Sequence, residues 1–381
     1  MKTSFKKPIL FLLIACFTVG SGYLVWSNFI RIPHPRFYAN ISAALSDTID
    51  SDGFQKAERI TQFRFPEDFG PHPGFQTEWW YYTGNLSSSQ GEKFGYQFTV
   101  FRRSLSPNNA KTGSEWRTNQ VYFAHFAVTD VLNEKFHSFE RFSRDSLGLA
   151  GAKSVPYQVW INDWKISGTP NKPTIFAEED AIGIELNLQS SKPIVLQGNK
   201  GLSQKGPKKG NASYYFSQTR LKTEGNIKIK DKTYQVEGFS WLDREWSTST
   251  LDKDDIGWDW FSIQLDDSRE IMLFHIRTRS GGISPFSSGS YVESDGTKHA
   301  LAKDDFTLSV TQTWKSKHTG IEYPSSWRIK IDRFDLELTV TPLLKDQEHR
   351  HSFVYWEGAI KAQSEKAQGT GYVELTGYEK E

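Results

Sequence analysis

The chain has 381 residues, enough for two domains of ordinary size. Its 46 basic and 45 acidic side chains are balanced, which leaves no electrostatic footprint for nucleic acid or for an anionic membrane surface. A single cysteine, Cys16, excludes an intramolecular disulfide, a thiolate metal site and a cysteine nucleophile in the body of the chain.

The N-terminus carries an export signal. Lys2, Lys6 and Lys7 precede an apolar run from Ile9 to Ile30, and about 20 such residues suffice to cross a bilayer. The lysines stay on the cytoplasmic side, which places the remainder in the cell envelope. Residues 1–30 are therefore expected to be a signal or anchor segment that attaches the protein to the membrane. Two other routes stay open. Leu13–Ile14–Ala15–Cys16 resembles a lipobox, which would make Cys16 a lipidated first residue, or the signal is cleaved and the body secreted. Residues 31–60, with Pro33, Pro35, Asp47, Asp50 and Gly53, read as a tether.

From residue 61 the texture changes to short apolar–polar alternations broken by Gly, Asn, Asp and Ser. Gly95–Phe101, Val121–Val128 and Gly183–Leu188 are examples, followed by Trp260–Leu265, Ile271–Arg277, Trp327–Ile331 and Leu336–Val340. Period-two alternation is what a strand with one buried face requires. Aromatic residues make up 14% of the chain, which suits pleated, half-buried surfaces and also supplies walls for an apolar cavity. The expected fold is all-β: two tandem antiparallel lipocalin-like barrels, 61–243 and 244–381. One eight-stranded barrel would leave many of these strands unused.

Walker loops, paired-histidine zincin helices, Gly-x-Ser-x-Gly elbows and EF-hand loops are missing, and no cofactor or metal is expected. His349 and His351 read as a solvated basic cluster with Arg350, two rings being too few for a metal site. Two other clusters look like chemistry. On a strand, Glu78, Trp80 and Tyr82 share one face. A carboxyl shielded by aromatics keeps its proton near neutral pH and can donate it, so Glu78 is a candidate acid. The alternative is a buried ion pair with Arg102 or Arg103. The second cluster joins Trp241, Asp243, Arg244 and Trp246 to Trp258 and Asp259. Asp243 and Asp259 are candidate acids and the tryptophans candidate ligand surfaces. The alternative is an interdomain seam in which the aromatics pack and the charges pair. His125, inside an apolar strand, is either a ligand contact or a satisfied core histidine.

Taken in order, Phe65–Asp68, Thr77–Tyr81, Leu149–Ala152, Ala212–Ser217, Trp241–Trp246, Gly257–Trp260 and Tyr355–Gly358 resemble the AttH-domain proteins, often labelled predicted secreted hydrolases and similar to carotenoid hydratases. The resemblance spans about residues 61 to 378 and implies the same pair of lipocalin-like domains. It implies less about activity, because one fold hosts many functions. In the hydratases an acid protonates a polyene and water captures the carbocation. Their His-x-Trp element matches Arg244–Glu245–Trp246, with arginine, which cannot shuttle protons, in place of the histidine. Their Tyr-x-Asp element has no match in Met272–Ile276. The expectation is therefore a protein that binds an apolar or isoprenoid-like small molecule in an aromatic-lined barrel or interdomain pocket. The alternative is a hydratase, cyclase or hydrolase using a carboxylic acid.

Overall fold

A computed structural model describes residues 51–107, 116–249 and 251–379. The expected signal or anchor, residues 1–30, and most of the expected tether lie outside the described residues. No helix among the described residues is long and apolar enough to cross a membrane.

The body is built from antiparallel strands and three single-turn 3-10 segments. The first sheet begins with β1 (Thr77–Ser88), β2 (Lys93–Ser104), β3 (Gln120–Asp130) and β4 (Lys135–Arg144). It continues with β5 (Ala150–Lys153), β6 (Tyr157–Ile161), β7 (Trp164–Thr169), β8 (Lys172–Glu179) and β9 (Ile182–Ser190). Two short strands, β10 (Val195–Leu196) and β11 (Leu202–Gln204), lead to the long pair β12 (Ala212–Ile229) and β13 (Lys232–Ser249). The spatial order is β4-β3-β2-β1-β13-β12-β9-β8-β7-β6-β5, with β10 and β11 also on β12. The ends of this order, β4 and β5, lie against each other. Arg141 of β4 ties the closure together, pairing with Asp163 and Glu179 and lying 4.2 Å over the Trp164 ring. The result is a barrel.

The second sheet runs from β14 (Asp255–Leu265) and β15 (Glu270–Thr278) through β16 (Ser288–Val292), β17 (Lys298–Ala302) and β18 (Thr307–Lys315). It ends with β19 (Glu322–Ile331), β20 (Leu336–Pro342), β21 (Glu348–Arg350), β22 (Val354–Gln363) and β23 (Gln368–Leu375). Its order is β17-β16-β15-β14-β23-β22-β20-β19-β18, a half-barrel curled over its own core. The all-β, lipocalin-like expectation therefore holds.

Two boundaries differ from expectation. The chain changes sheet between Ser249 and Asp255, not at 243/244, because β13 keeps its ladder with β1 up to Ser247 and with β12 up to Ser249. The folded body also starts before residue 61. Phe54 and Ala57 are buried, Ala57 bridges to Gly210, and Thr248 donates to the Gln55 carbonyl.

Each sheet buries one face in its own interior. Trp80, Tyr82, Phe98, Phe126, Trp164 and Phe216 fill the first barrel, and Phe261, Ile263, Trp327, Trp356 and Val373 the second. The opposite faces then pack on each other. Tyr81, Tyr215 and Trp241 meet Trp260, Met272 and Phe274, while Phe101 and Phe123 meet Phe353 and Tyr355. This explains a departure from strict alternation. β8 and β9 alternate buried with partly or fully exposed residues, whereas β2 and β3 are buried almost throughout because both their faces are covered. At Gly95 the two sheets come so close that a Cβ would stand 2.5 Å from the Cβ of Ala359. Polar pins fix the seam. Arg220 and Lys192 reach Glu270 at 2.6 and 2.7 Å, and Gln264 donates to the carbonyls of Thr219 and Ser240.

Candidate functional site

Inside the first barrel, β1 pairs with β2 so that Glu78 faces Arg102, and with β13 so that Trp80 faces Arg244. Both guanidiniums reach the Glu78 carboxylate, and the His72 amide donates to it at 3.0 and 3.1 Å. Burial alone would raise the Glu78 pKa, but Arg102 and Arg244 outweigh it and hold this carboxyl well below its usual range. Arg244 also lies 4.0 Å over the Trp80 ring, and Trp246 stacks on His72 at 3.8 Å. Tyr82 shares a hydrogen bond with Tyr157. The group Glu78, Trp80, Tyr82, Arg244 and Trp246 is thus together, as a charge-paired core rather than an acid site. Glu78 is corrected from candidate acid to ion-pair partner. A carboxylate held between two guanidiniums does not give up a proton near neutrality.

Asp259 is corrected in a similar way. It faces away from the seam, pairs with Arg277 at 3.0 Å and accepts from Tyr378 at 2.9 and 3.0 Å. Burial still raises its pKa against these partners, but the residue lines no cavity described below.

Asp243 is different. Period two turns it away from its neighbour Arg244 and into the seam, where an aromatic-walled cavity of about 80 Å³ lies between the two sheets. Trp79 and Tyr81 of β1, Phe101 of β2, Tyr215 of β12, Trp258 and Trp260 of β14 and Phe274 of β15 form its walls. Among the described residues, Asp243, Glu245 and Glu374 supply its carboxyls and Lys205 its only cation. Asp243 accepts hydrogen bonds from Tyr215, from Ser217 at 2.5 Å and from the Trp241 indole at 2.6 Å, but has no salt-bridge partner among the described residues. Burial pushes its carboxyl up to about 7 against these three donors, with a further push from Glu245. Glu374 accepts from the Trp258 indole at 3.1 Å, and burial raises it too, helped by Asp243 and Glu245. Glu245 accepts from Ser213 and lies 3.5 Å from the Lys205 ammonium.

A chain of polar groups leads from this cavity into the rest of the seam. Tyr81 donates to Glu357, whose carboxyl burial raises well above its usual range and whose Oε2 has no hydrogen-bond partner. The Tyr355 hydroxyl lies against the same carboxyl and 2.6 Å from His125 Nδ1. His125 Nε2 is 3.5 Å from Glu140. His125 is thus a seam residue outside the cavity wall. His349 stacks on Tyr355 at 4.6 Å, fully buried with both ring nitrogens unpartnered. This corrects the expectation of a solvated cluster, since β21 is covered by β22 and by the seam. His351 is half-buried against Ser138.

Of the residues singled out in the sequence, the cavity wall holds Asp243 and Trp258, with Trp241 just behind Asp243. Missed were Trp79, Tyr81, Lys205, Tyr215, Phe274 and the carboxyls Glu357 and Glu374. Trp79 and Tyr81 form the other face of the same strand as Glu78, and Tyr355–Gly358 is among the motifs that carry the resemblance, so part of the signal was present.

Residues 56–378 match the protein family described as AttH-like. Among solved structures, an AttH protein of Nitrosomonas europaea is similar at 32% identity with a TM-score of 0.77, covering 86% of this chain and 100% of its own. The kievitone hydratase of Nectria haematococca shares the fold, with 14% identity, a TM-score of 0.62, and coverage of 86% of this chain and 96% of its own. No curated protein matches the chain by sequence.

Proposed function

Because this chain belongs to the AttH-like family, we propose that its seam cavity is a binding site for a predominantly apolar small molecule on the envelope side of the membrane. One observation carries the proposal. The cavity is walled by aromatic rings, and its buried carboxyl Asp243 has no ionic partner among the described residues, whereas Glu78, Asp259 and Glu270, which lie outside the cavity wall, each have one. A buried charge without an ionic partner is costly, so this arrangement persists by keeping Asp243 partly protonated or by meeting a ligand.

Asp243 favours a second reading on the same site, acid catalysis. A carboxyl titrating at about 7 is poised to give and take a proton. It would protonate one carbon of a carbon–carbon double bond while a water oxygen bonds to the other carbon. The proton lost by that water would then return to the carboxylate. This is a hydration, the class of reaction in the name of the Nectria protein. Aromatic faces would stabilise the positive charge that forms in between.

Native mass spectrometry and organic extraction of the protein from its own host test both readings. An apolar molecule should co-purify with wild type, in smaller amount with Asp243→Asn, and be lost from Trp260→Ala. If the molecule resists the Trp260 substitution, or none co-purifies, the seam cavity is not its site. Conversion of that molecule by wild type and not by Asp243→Asn would establish the acid role.

A further inference from the structure

We infer that the seam cavity is selective for a small organic cation, a quaternary or protonated amine carried on an apolar body. The inference rests on the cavity being the ligand site and not on the acid chemistry.

The walls already hold one cation in the manner they would hold another. The Lys205 ammonium sits 3.9 Å from the centroid of Phe274 and 5.2 Å from that of Tyr215, both of which line the cavity. Ring faces attract cations through their quadrupoles, most strongly where water is excluded, and aromatic cages for quaternary ammonium groups use this attraction. Lys205 is largely buried, at 12% exposure, and its nearest carboxylate is Glu245 at 3.5 Å. Glu245 and Lys205 therefore balance each other.

Asp243 and Glu374 remain unbalanced at the same wall, with Glu357 one hydroxyl behind them through Tyr81. No guanidinium of the described residues lines the cavity. The groups facing Asp243 are Glu245 on its own strand, Tyr215 on β12, Tyr81 on β1, Glu374 on β23 and Lys205 from the turn after β11. Among the described residues one cation stands among three lining carboxyls, and burial favours the protonated forms of the two it does not balance, Asp243 and Glu374. A bound cation replaces those protons. An apolar body fills the space between Trp79, Trp258 and Trp260, while the positive centre meets Asp243 and Glu374.

An anion is disfavoured by the carboxyl count. A neutral apolar ligand would leave the two unbalanced carboxyls with nothing to answer them. The proton count also fixes a pH dependence. Burial holds Asp243 at about 7 and raises Glu374 as well, so both ionise more fully as pH rises, and affinity for a cation rises with them.

The test is calorimetric titration of the full chain with benzyltrimethylammonium and with its neutral isostere, in which carbon replaces the quaternary nitrogen. The cation should bind at least about tenfold more tightly than the isostere, the scale of a desolvated cation–π contact. Its affinity should rise from about pH 6 to pH 8, with protons released on binding, because both carboxyls lose theirs. Glu374→Gln should weaken the cation and leave the isostere unchanged, which a general loss of folding would not do. Equal binding of the two probes would overturn the cation preference while leaving the cavity as an apolar site. If neither probe binds, and neither competes with the co-purified molecule, the cavity reading itself fails and this inference with it.

Discussion

Glu78 and Asp243 project from opposite faces of one two-strand ladder. Glu78 faces the barrel interior between Arg102 and Arg244, while Asp243, the residue beside Arg244, faces the seam, where its donors among the described residues are hydroxyls and an indole. Two buried carboxyls a few residues apart in register thus have opposite electrostatic fates. The difference follows from which side of the pleat each occupies.

Replacing Glu78 by Gln would leave two buried guanidiniums without their counter-charge. The expected loss is about 3–5 kcal/mol of folding stability, the range for breaking one partner out of a buried ion pair. Urea denaturation of wild type and variant measures it, and a loss under about 1 kcal/mol would mean the pair is screened as a surface bridge is.

Asp243 gives the opposite pH signature. Its folded pKa of about 7 lies above the unfolded value near 3.8, so the native state holds a proton that the unfolded chain releases. The stability this contributes is complete below about pH 4 and declines as pH rises toward and through the folded value. Asp243→Asn should flatten that part of the stability-versus-pH curve and bring stability at about pH 8 up to or above wild type. If the slope is unchanged in the variant, Asp243 is not the titrating group.

His349 offers a stabilising substitution. Both its ring nitrogens are buried without partners, and burial first, with the neighbouring His125, His351 and Arg350, keeps the ring from charging. His349→Phe keeps the stacking on Tyr355 and removes two unsatisfied polar atoms, each of which costs about 1–3 kcal/mol when buried. A rise in thermal midpoint is expected. A fall would show that the imidazole has a partner in solution.

The expected membrane attachment is testable with residues 1–60 fused to an envelope-active reporter. The fusion should be exported and remain with membranes, and Cys16→Ser should leave it there. A soluble or stalled Cys16→Ser fusion would instead favour lipidation at that residue.

The strand framework was legible because turn residues and alternation are local. The hairpins Trp260–Leu265 with Ile271–Arg277 and Trp327–Ile331 with Leu336–Val340 appear as read, as β14–β15 and β19–β20. The site was legible only by halves. Sharing of a face by Glu78, Trp80 and Tyr82 follows from period two, but whether that face meets a cavity or two arginines depends on strands far away in sequence. Glu78 meets Arg244 across 166 residues. Glu357 and Glu374 reach the seam from the last two strands, where they sit among ordinary alternations that carry no signal of a partner sheet. The sheet change was placed too early because the Trp- and charge-rich stretch is the end of a strand shared by two faces, and not a linker.

Packing the two sheets back to back also separates the two cores from the seam cavity. Each interior is already filled by its own tryptophans and aliphatic side chains, and the space between the sheets is bounded by residues that belong to neither interior. Substitutions on that boundary can therefore reshape the proposed ligand cavity while both cores stay intact. The outer wall of each sheet is thus free to vary where its inner wall is not.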